Sequence, residues 1–197
     1  MKQLVVATEN QGKLREIEES LQGIGVQIIS LKGLPPLSPV DEDGSTYLEN
    51  ALKKARAVAV HSGRLTIADD SGLEVDYLQG APGVRSARFA GDQASDADNN
   101  GKLLQLLAGI PVAERGALFR CVIAIVTPRG WEAWVEGQCR GVILEQARGN
   151  KGFGYDPLFS IPELGKTLAE LPLAVKNRIS HRGRALAALK AVLPDFL

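Results

Sequence analysis

Residues 4–29 read LVVATENQGKLREIEESLQGIGVQII, and this stretch decides the fold class. Leu4-Val5-Val6-Ala7 is an apolar run of strand length, and Thr8-Glu9-Asn10-Gln11-Gly12-Lys13 follows as a polar turn. Leu14, Ile17 and Leu21 then recur at helical spacing until Gly23 and Gly25 stop the helix. Val26-Gln27-Ile28-Ile29 is the next strand. Strand, helix, strand is a βαβ opening, which predicts an α/β fold with parallel pairing.

The turn inside this unit has chemistry of its own. A loop that enters a helix offers unpaired backbone N–H groups where anions are favoured. Thr8 and Asn10 add side-chain donors and Lys13 adds a positive charge, which together make a phosphate cradle. The glycine spacing of a Walker loop or of GxGxxG is absent. The same residues also read as a plain helix start, with Asn10 near the N-cap and Lys13 in solvent.

Further along, Leu65-Thr66-Ile67-Ala68 predicts a strand that ends on Asp69-Asp70 and a Ser71-Gly72 turn. Neighbouring strand residues face opposite sides. Asp69 therefore shares a face with Leu65 and Ile67, and Asp70 with the smaller, more polar Thr66 and Ala68. That parity favours Asp70 as the working carboxylate on the wall of a cleft. A simple turn cap also accounts for the pair, since Asp and Ser are common turn residues.

Composition narrows the function classes. The chain has 197 residues, enough for one large domain or two lobes sharing a core, and 45% of them are hydrophobic. Lys+Arg and Asp+Glu balance at 23 each, so no global field attracts nucleic acid or an anionic membrane. No apolar run reaches membrane-spanning length and the N-terminus lacks a signal peptide's cleavage pattern, so a cytoplasmic location is expected. Cys121 and Cys139 lie in β-prone runs without CxxC spacing and read as buried free thiols.

Other segments carry further groups. A proline-rich loop ends in Asp41-Glu42-Asp43-Gly44, and Thr46 with Glu49 forms a capping-box pattern opening a helix. The acidic triplet is either a solvated cap or a source of a second carboxylate for Mg²⁺. The glycine-punctuated loop Gly80–Gly91 carries Arg85 and Arg88, suiting a lid, an interface or a phosphate contact. Asp96–Leu107 predicts a helix, Arg115–Val126 and Trp131–Arg140 an antiparallel hairpin, and Val142-Ile143-Leu144 a separate short strand. Glycines flank Phe153 in Gly152-Phe153-Gly154-Tyr155-Asp156, so the ring can present a face to a base. Lys176-Asn177-Arg178-Ile179-Ser180-His181-Arg182 concentrates basic groups before the last helix.

Taken in order, Thr8-x-Asn10-x-x-Lys13, Asp69-Asp70-Ser71-Gly72, Phe153-Gly154-Tyr155-Asp156-Pro157 and Ser180-His181-Arg182 form one pattern. With Glu49-Asn50-Ala51 and Ala81-Pro82-Gly83 through Ser86-Ala87-Arg88, the chain resembles the inosine/xanthosine triphosphate (dITP/XTP) pyrophosphatases over nearly its whole length. The resemblance implies a single two-lobed domain: a long twisted mixed β-sheet flanked by helices, with the active site in the cleft between lobes. It implies a homodimer with the Gly80–Gly91 loop near the interface or cleft, and Mg²⁺-dependent hydrolysis of ITP, dITP or XTP to monophosphate and pyrophosphate.

On this resemblance Thr8, Glu9, Asn10, Gln11, Gly12 and Lys13 hold the triphosphate. Asp70 is base and metal ligand, Glu42 the second metal carboxylate, and Ser71 touches substrate. Phe153, Gly154, Tyr155, Asp156, Lys176, His181 and Arg182 form the nucleoside end. There Arg182 and His181 donate to the purine 6-oxygen, Asp156 holds the Arg182 fork, and Phe153 stacks on the ring. Glu9 departs from the small or neutral residue expected beside a triphosphate, so its side chain is expected to point away. Two other classes compete. A haloacid-dehalogenase-type phosphatase wants Asp-x-Asp rather than adjacent aspartates, and a nucleotide- or RNA-binding module would use the basic groups without Asp70.

Overall fold

Leu4, Val5 and Val6 are all buried, the double-sided burial of an interior parallel strand. They lie on β1 (Lys2–Val6), which pairs in parallel with β2 (Val26–Ser30) and with β3 (Thr66–Val75). The computed structural model describes residues 2–197. Four more strands follow: β4 (Gly116–Val126), β5 (Glu132–Ile143), β6 (Phe159–Ile161) and β7 (Lys166–Thr167). The seven form one open mixed sheet in the order β2-β1-β3-β4-β5-β6-β7, with antiparallel pairing from β5 to β6 and from β6 to β7. Its helices are α1 (Gln11–Ser20), α2 (Tyr47–Ser62), α3 (Asp96–Leu106), α4 (Leu173–Ile179) and α5 (His181–Val192).

The βαβ opening is present as expected. The turn expected at Ser71-Gly72 is not, because β3 continues through it to Val75. Leu73 and Val75 are buried and extend the alternation, and the Leu73 N–H finds the Ser86 hydroxyl at 2.8 Å. Turn-prone residues thus lost to the hydrophobic pattern around them. Likewise Val142 and Ile143 extend β5 rather than starting a new strand. Gly141 permits this, since a Cβ there would lie 2.5 Å from the Phe159 ring of β6.

Helix ends follow their caps. Asn10 Oδ1 accepts from Lys13 N at 3.0 Å to open α1, and Gly63 at φ +63° closes α2. Thr46 caps α2, but the Glu49 carboxylate takes the N–H and hydroxyl of Ser45, one residue earlier than a capping box requires.

The chain divides into two compact units, each with its own core. The first comprises the chain up to Asp70, Cys121–Gly137 and Arg182–Leu197. Its core joins Leu4, Val6, Ile17, Ile67, Ile123 and Leu186. The second comprises Ser71–Arg120 and Gln138–His181, with a core of Leu73, Leu103, Phe119, Ile143, Phe159 and Leu168. Both cysteines are buried and free, as their spacing implied. Among the described residues no helix is long and apolar enough to cross a membrane.

Candidate active site

In the first unit the site grows from the end of β1 and the middle of β3. Thr8 Oγ1 accepts from Asn10 N at 3.2 Å, and Gln11 Nε2 donates to the Glu9 carbonyl at 3.3 Å, shaping the entry to α1. The Glu9 side chain is exposed. Lys13 sends its ammonium to Asp69 Oδ2 at 3.1 Å. Lys13 is therefore an ion-pair partner of a buried carboxylate and not the solvated helix residue of the plainer reading.

Strand parity separates the two aspartates. Asp69 accepts from Arg182 Nε at 3.2 Å and lies 3.1 Å from Arg182 Nη2, while Arg182 Nη1 reaches Glu16 Oε2 of α1 at 2.6 Å. Burial opposes ionisation of Asp69, but the charges of Lys13, Arg182 and Lys54 outweigh it and hold its carboxyl well below the ordinary range. Asp70 accepts from Asn50 Nδ2 of α2 at 3.1 Å and lies 3.9 Å from Lys54 Nζ. For Asp70 burial wins: its carboxyl is pushed up, against the pull of Lys54 and Lys13 and with help from the Glu42 charge. The face expected to be a small, polar cleft wall is closed at Thr66 and Ala68, which are buried.

Lys54 gathers the acidic groups. Its ammonium lies 3.1 Å from Glu42 Oε1 and donates to the Asp69 carbonyl at 2.7 Å. One cation thus sits among Glu42, Asp70 and a backbone oxygen, which is the oxygen donor set that suits Mg²⁺. No group of three or more His, Cys, Asp or Glu side chains suited to a metal occurs among the described residues. Mg²⁺ is commonly held by one or two carboxylates with substrate phosphates completing its shell, so the pair fits. Of the acidic triplet, Glu42 is the member joined to Asp70 through Lys54, while Asp43 pairs with Lys53.

In the second unit Asp156 Oδ2 accepts from Phe153 N at 3.0 Å and from the Lys176 ammonium. That ammonium stands 4.9 Å from the centre of the Phe153 ring. Gly152 has φ +77°, and a Cβ there would fall 2.1 Å from Asp156 Oδ2, so glycine is required. Tyr155 donates its hydroxyl proton to the Ser86 carbonyl at 2.8 Å. The His181 ring stacks on Phe119, centroids 4.5 Å apart and planes 12° from parallel. Ser71 is half-buried on β3.

The structure redraws one expected pair. Asp156 was expected to hold Arg182; Asp156 instead holds Lys176 and the Phe153 amide, and Arg182 holds Asp69 and Glu16. Within the basic cluster Lys176, His181 and Arg182 are buried, while Arg178 is exposed. Sequence reading missed Lys54 and Glu16. Asn50 and Lys54, four apart on α2, share the side of the helix that reaches β3. Nothing in the sequence marked Glu16, which stands among the charged residues Arg15, Glu18 and Glu19 and is buried in the folded helix.

Residues 4–192 match the model of the Ham1 family. A dITP/XTP pyrophosphatase of Geobacter sulfurreducens is 55% identical over 190 residues, covering 96% of each chain. One from Desulforamulus reducens is 54% identical over 190 residues, covering 96% of this chain and 94% of that one. Among solved structures, a HAM1 protein of Coxiella burnetii superposes with a TM-score of 0.87 at 40% identity, covering 99% of this chain and 100% of that one. The Staphylococcus aureus Ham1 protein gives 0.86 at 40% identity over 100% of both chains. By the family match and these identities, the chain belongs to the Ham1 family.

Proposed function

We propose that the chain hydrolyses the non-standard purine nucleoside triphosphates dITP, ITP and XTP to the monophosphate and pyrophosphate, with Mg²⁺, as one catalytic domain. The observation that carries this reading is the Lys54 ammonium seated beside Glu42 and Asp70, a cation position lined by two carboxylates. The names of the Geobacter and Desulforamulus relatives support the substrate class. A cytoplasmic homodimer is part of the proposal.

In this reading Thr8–Lys13 hold the triphosphate through the first-turn N–H groups of α1. Asp70 takes the proton of the water that attacks the α-phosphorus, and pyrophosphate leaves. The raised carboxyl of Asp70 makes it a stronger base than an ordinary aspartate. Asp70 and Glu42 would hold Mg²⁺, which when bound supplies charge neutralisation on the phosphates. Asp69, Arg182 and Glu16 fix the position of Lys13. Ser71 touches the substrate.

In the second unit Phe153 offers its ring to the base, with the Lys176–Asp156 pair fixing it. His181, held flat against Phe119, donates an N–H to the purine 6-oxygen, where adenine would present an amino donor instead. Product analysis on a panel of dITP, ITP, XTP, dATP and dGTP tests the proposal. Monophosphate and pyrophosphate from the first three, dependent on Mg²⁺, are expected. Orthophosphate release would return the dehalogenase-type reading, and binding without turnover a non-catalytic module.

A further inference from the structure

Gly154 lies between the residue assigned to the base and the rest of its motif, and it is held in an unusual way. Its N–H donates to Asp96 Oδ2 at 2.6 Å, and its carbonyl accepts from Asn100 Nδ2 at 2.9 Å. Asp96 and Asn100 are four residues apart on the first turns of α3, so they stand side by side on one helix face. Both backbone groups of one glycine are therefore taken by two side chains of a single element.

Glycine has the widest backbone freedom of any residue, and Gly154 sits at φ +60° with nothing within 4 Å of a Cβ position. Packing thus does not fix its conformation. Binding its N–H and its carbonyl fixes the peptide planes on both sides of it, and so sets where the Phe153 ring points. The helix that does this is itself secured. Ser95 and Asp98 form a capping box at its start, and Asn99 bonds the Ala87 carbonyl at 3.1 Å and the Ala90 N–H at 2.8 Å. Asn100 Oδ1 is buried with no hydrogen-bond partner among the described residues. An amide kept at that cost is kept for its other half, the bond to Gly154.

We propose that Asp96 and Asn100 are positioning residues for base binding, acting through Gly154 on the Phe153 ring. The inference rests on the assignment of Phe153 to the base. Positioning a stacking ring affects ground state and transition state alike, so the effect falls on KM.

With dITP and Mg²⁺, Asp96→Ala and Asn100→Leu are expected to raise KM about three- to tenfold, the scale of one hydrogen bond, with kcat within twofold of wild type. Asp96→Asn keeps an acceptor oxygen and is expected to restore most of the loss. Asn100→Leu removes a buried unpaired acceptor and is expected to leave Tm no lower than wild type, which a purely structural role would not allow. In a Phe153→Ala background the same replacements are expected to change KM by less than twofold. Full additivity with Phe153→Ala, or a fall in kcat at constant KM, would overturn the inference. Absence of pyrophosphate from the wild type would instead overturn the function. In that case the exchange rate of the Gly154 amide still decides on the clamp: faster in Asp96→Ala and restored in Asp96→Asn supports it, and an unchanged rate refutes it.

Discussion

Asp69 and Asp70 are consecutive on β3, yet their carboxylates belong to different partner sets: Lys13 and Arg182 for the first, Asn50 and Lys54 for the second. The pleat of the strand is the cause. One aspartate is tied into a buried ionic network, and the other stands beside a cation position with its carboxyl pushed up.

The two therefore fail in opposite ways when neutralised. Asp70→Asn is expected to lower kcat by about 10²–10⁴, the usual worth of a general base, with Tm unchanged or raised because a buried charge is removed. Asp69→Asn leaves Arg182 and Lys13 short of a carboxylate. It is expected to cost about 3 kcal/mol and to lower Tm by about 6–12 °C. Thermal melts and steady-state rates on both variants check this; equal losses of activity at equal Tm contradict it.

Acid stability follows with a definite sign. The folded Asp69 carboxyl lies below its unfolded value of 3.8, so its stabilisation is present above that pH and is lost as pH falls towards the folded value. Asp70 runs the other way: its folded value is raised above 3.8, so its ionisation costs stability as pH rises through that interval. Urea unfolding between about pH 3 and 7 is expected to show a shallower acid-side loss in Asp69→Asn than in wild type, and a steeper one in Asp70→Asn.

Cys121 gives a simpler test of the same network. Burial, then the neighbouring Asp69 charge, pushes its thiol up to about 12. Cys139 is buried as well. Neither thiol is expected to react with a disulfide reagent at pH 8 in the native protein, and both are expected to react in denaturant. Rapid native labelling would show that the core around Asp69 opens.

Specificity should separate His181 from Arg182. His181→Phe keeps a ring to stack on Phe119 but removes the donors, and is expected to shrink the dITP-to-dATP ratio of kcat/KM by tenfold or more. Arg182→Lys cannot span Asp69 and Glu16 together, and is expected to lower Tm while leaving that ratio unchanged. A ratio that shrinks in Arg182→Lys at unchanged Tm would return Arg182 to the base edge, where the sequence pattern placed it.

Local pattern was legible wherever a short window determines the outcome. The βαβ opening, the Asn10 cap and the opposed faces of Asp69 and Asp70 all follow from neighbouring residues. Ser71-Gly72 misled because turn propensity yields to the buried Leu73 and Val75 beyond it. Pairings between distant segments were not legible. Lys176 and Arg182 are both basic and close in sequence, and nothing in their composition says which one Asp156 takes. The short helix α4 places the Lys176 ammonium on Asp156, while α5 begins at His181 and carries Arg182 to Glu16 of α1. Lys54 was hidden for the same reason, its three oxygen partners coming from segments up to sixteen residues away.

The proposed function turns on attack of water at the α-phosphorus, with pyrophosphate as the leaving group. Hydrolysis of dITP in ¹⁸O-labelled water, with mass analysis of both products, tests it most directly. One labelled oxygen in the monophosphate and none in the pyrophosphate are expected. Label in the pyrophosphate, or in released orthophosphate, would contradict it.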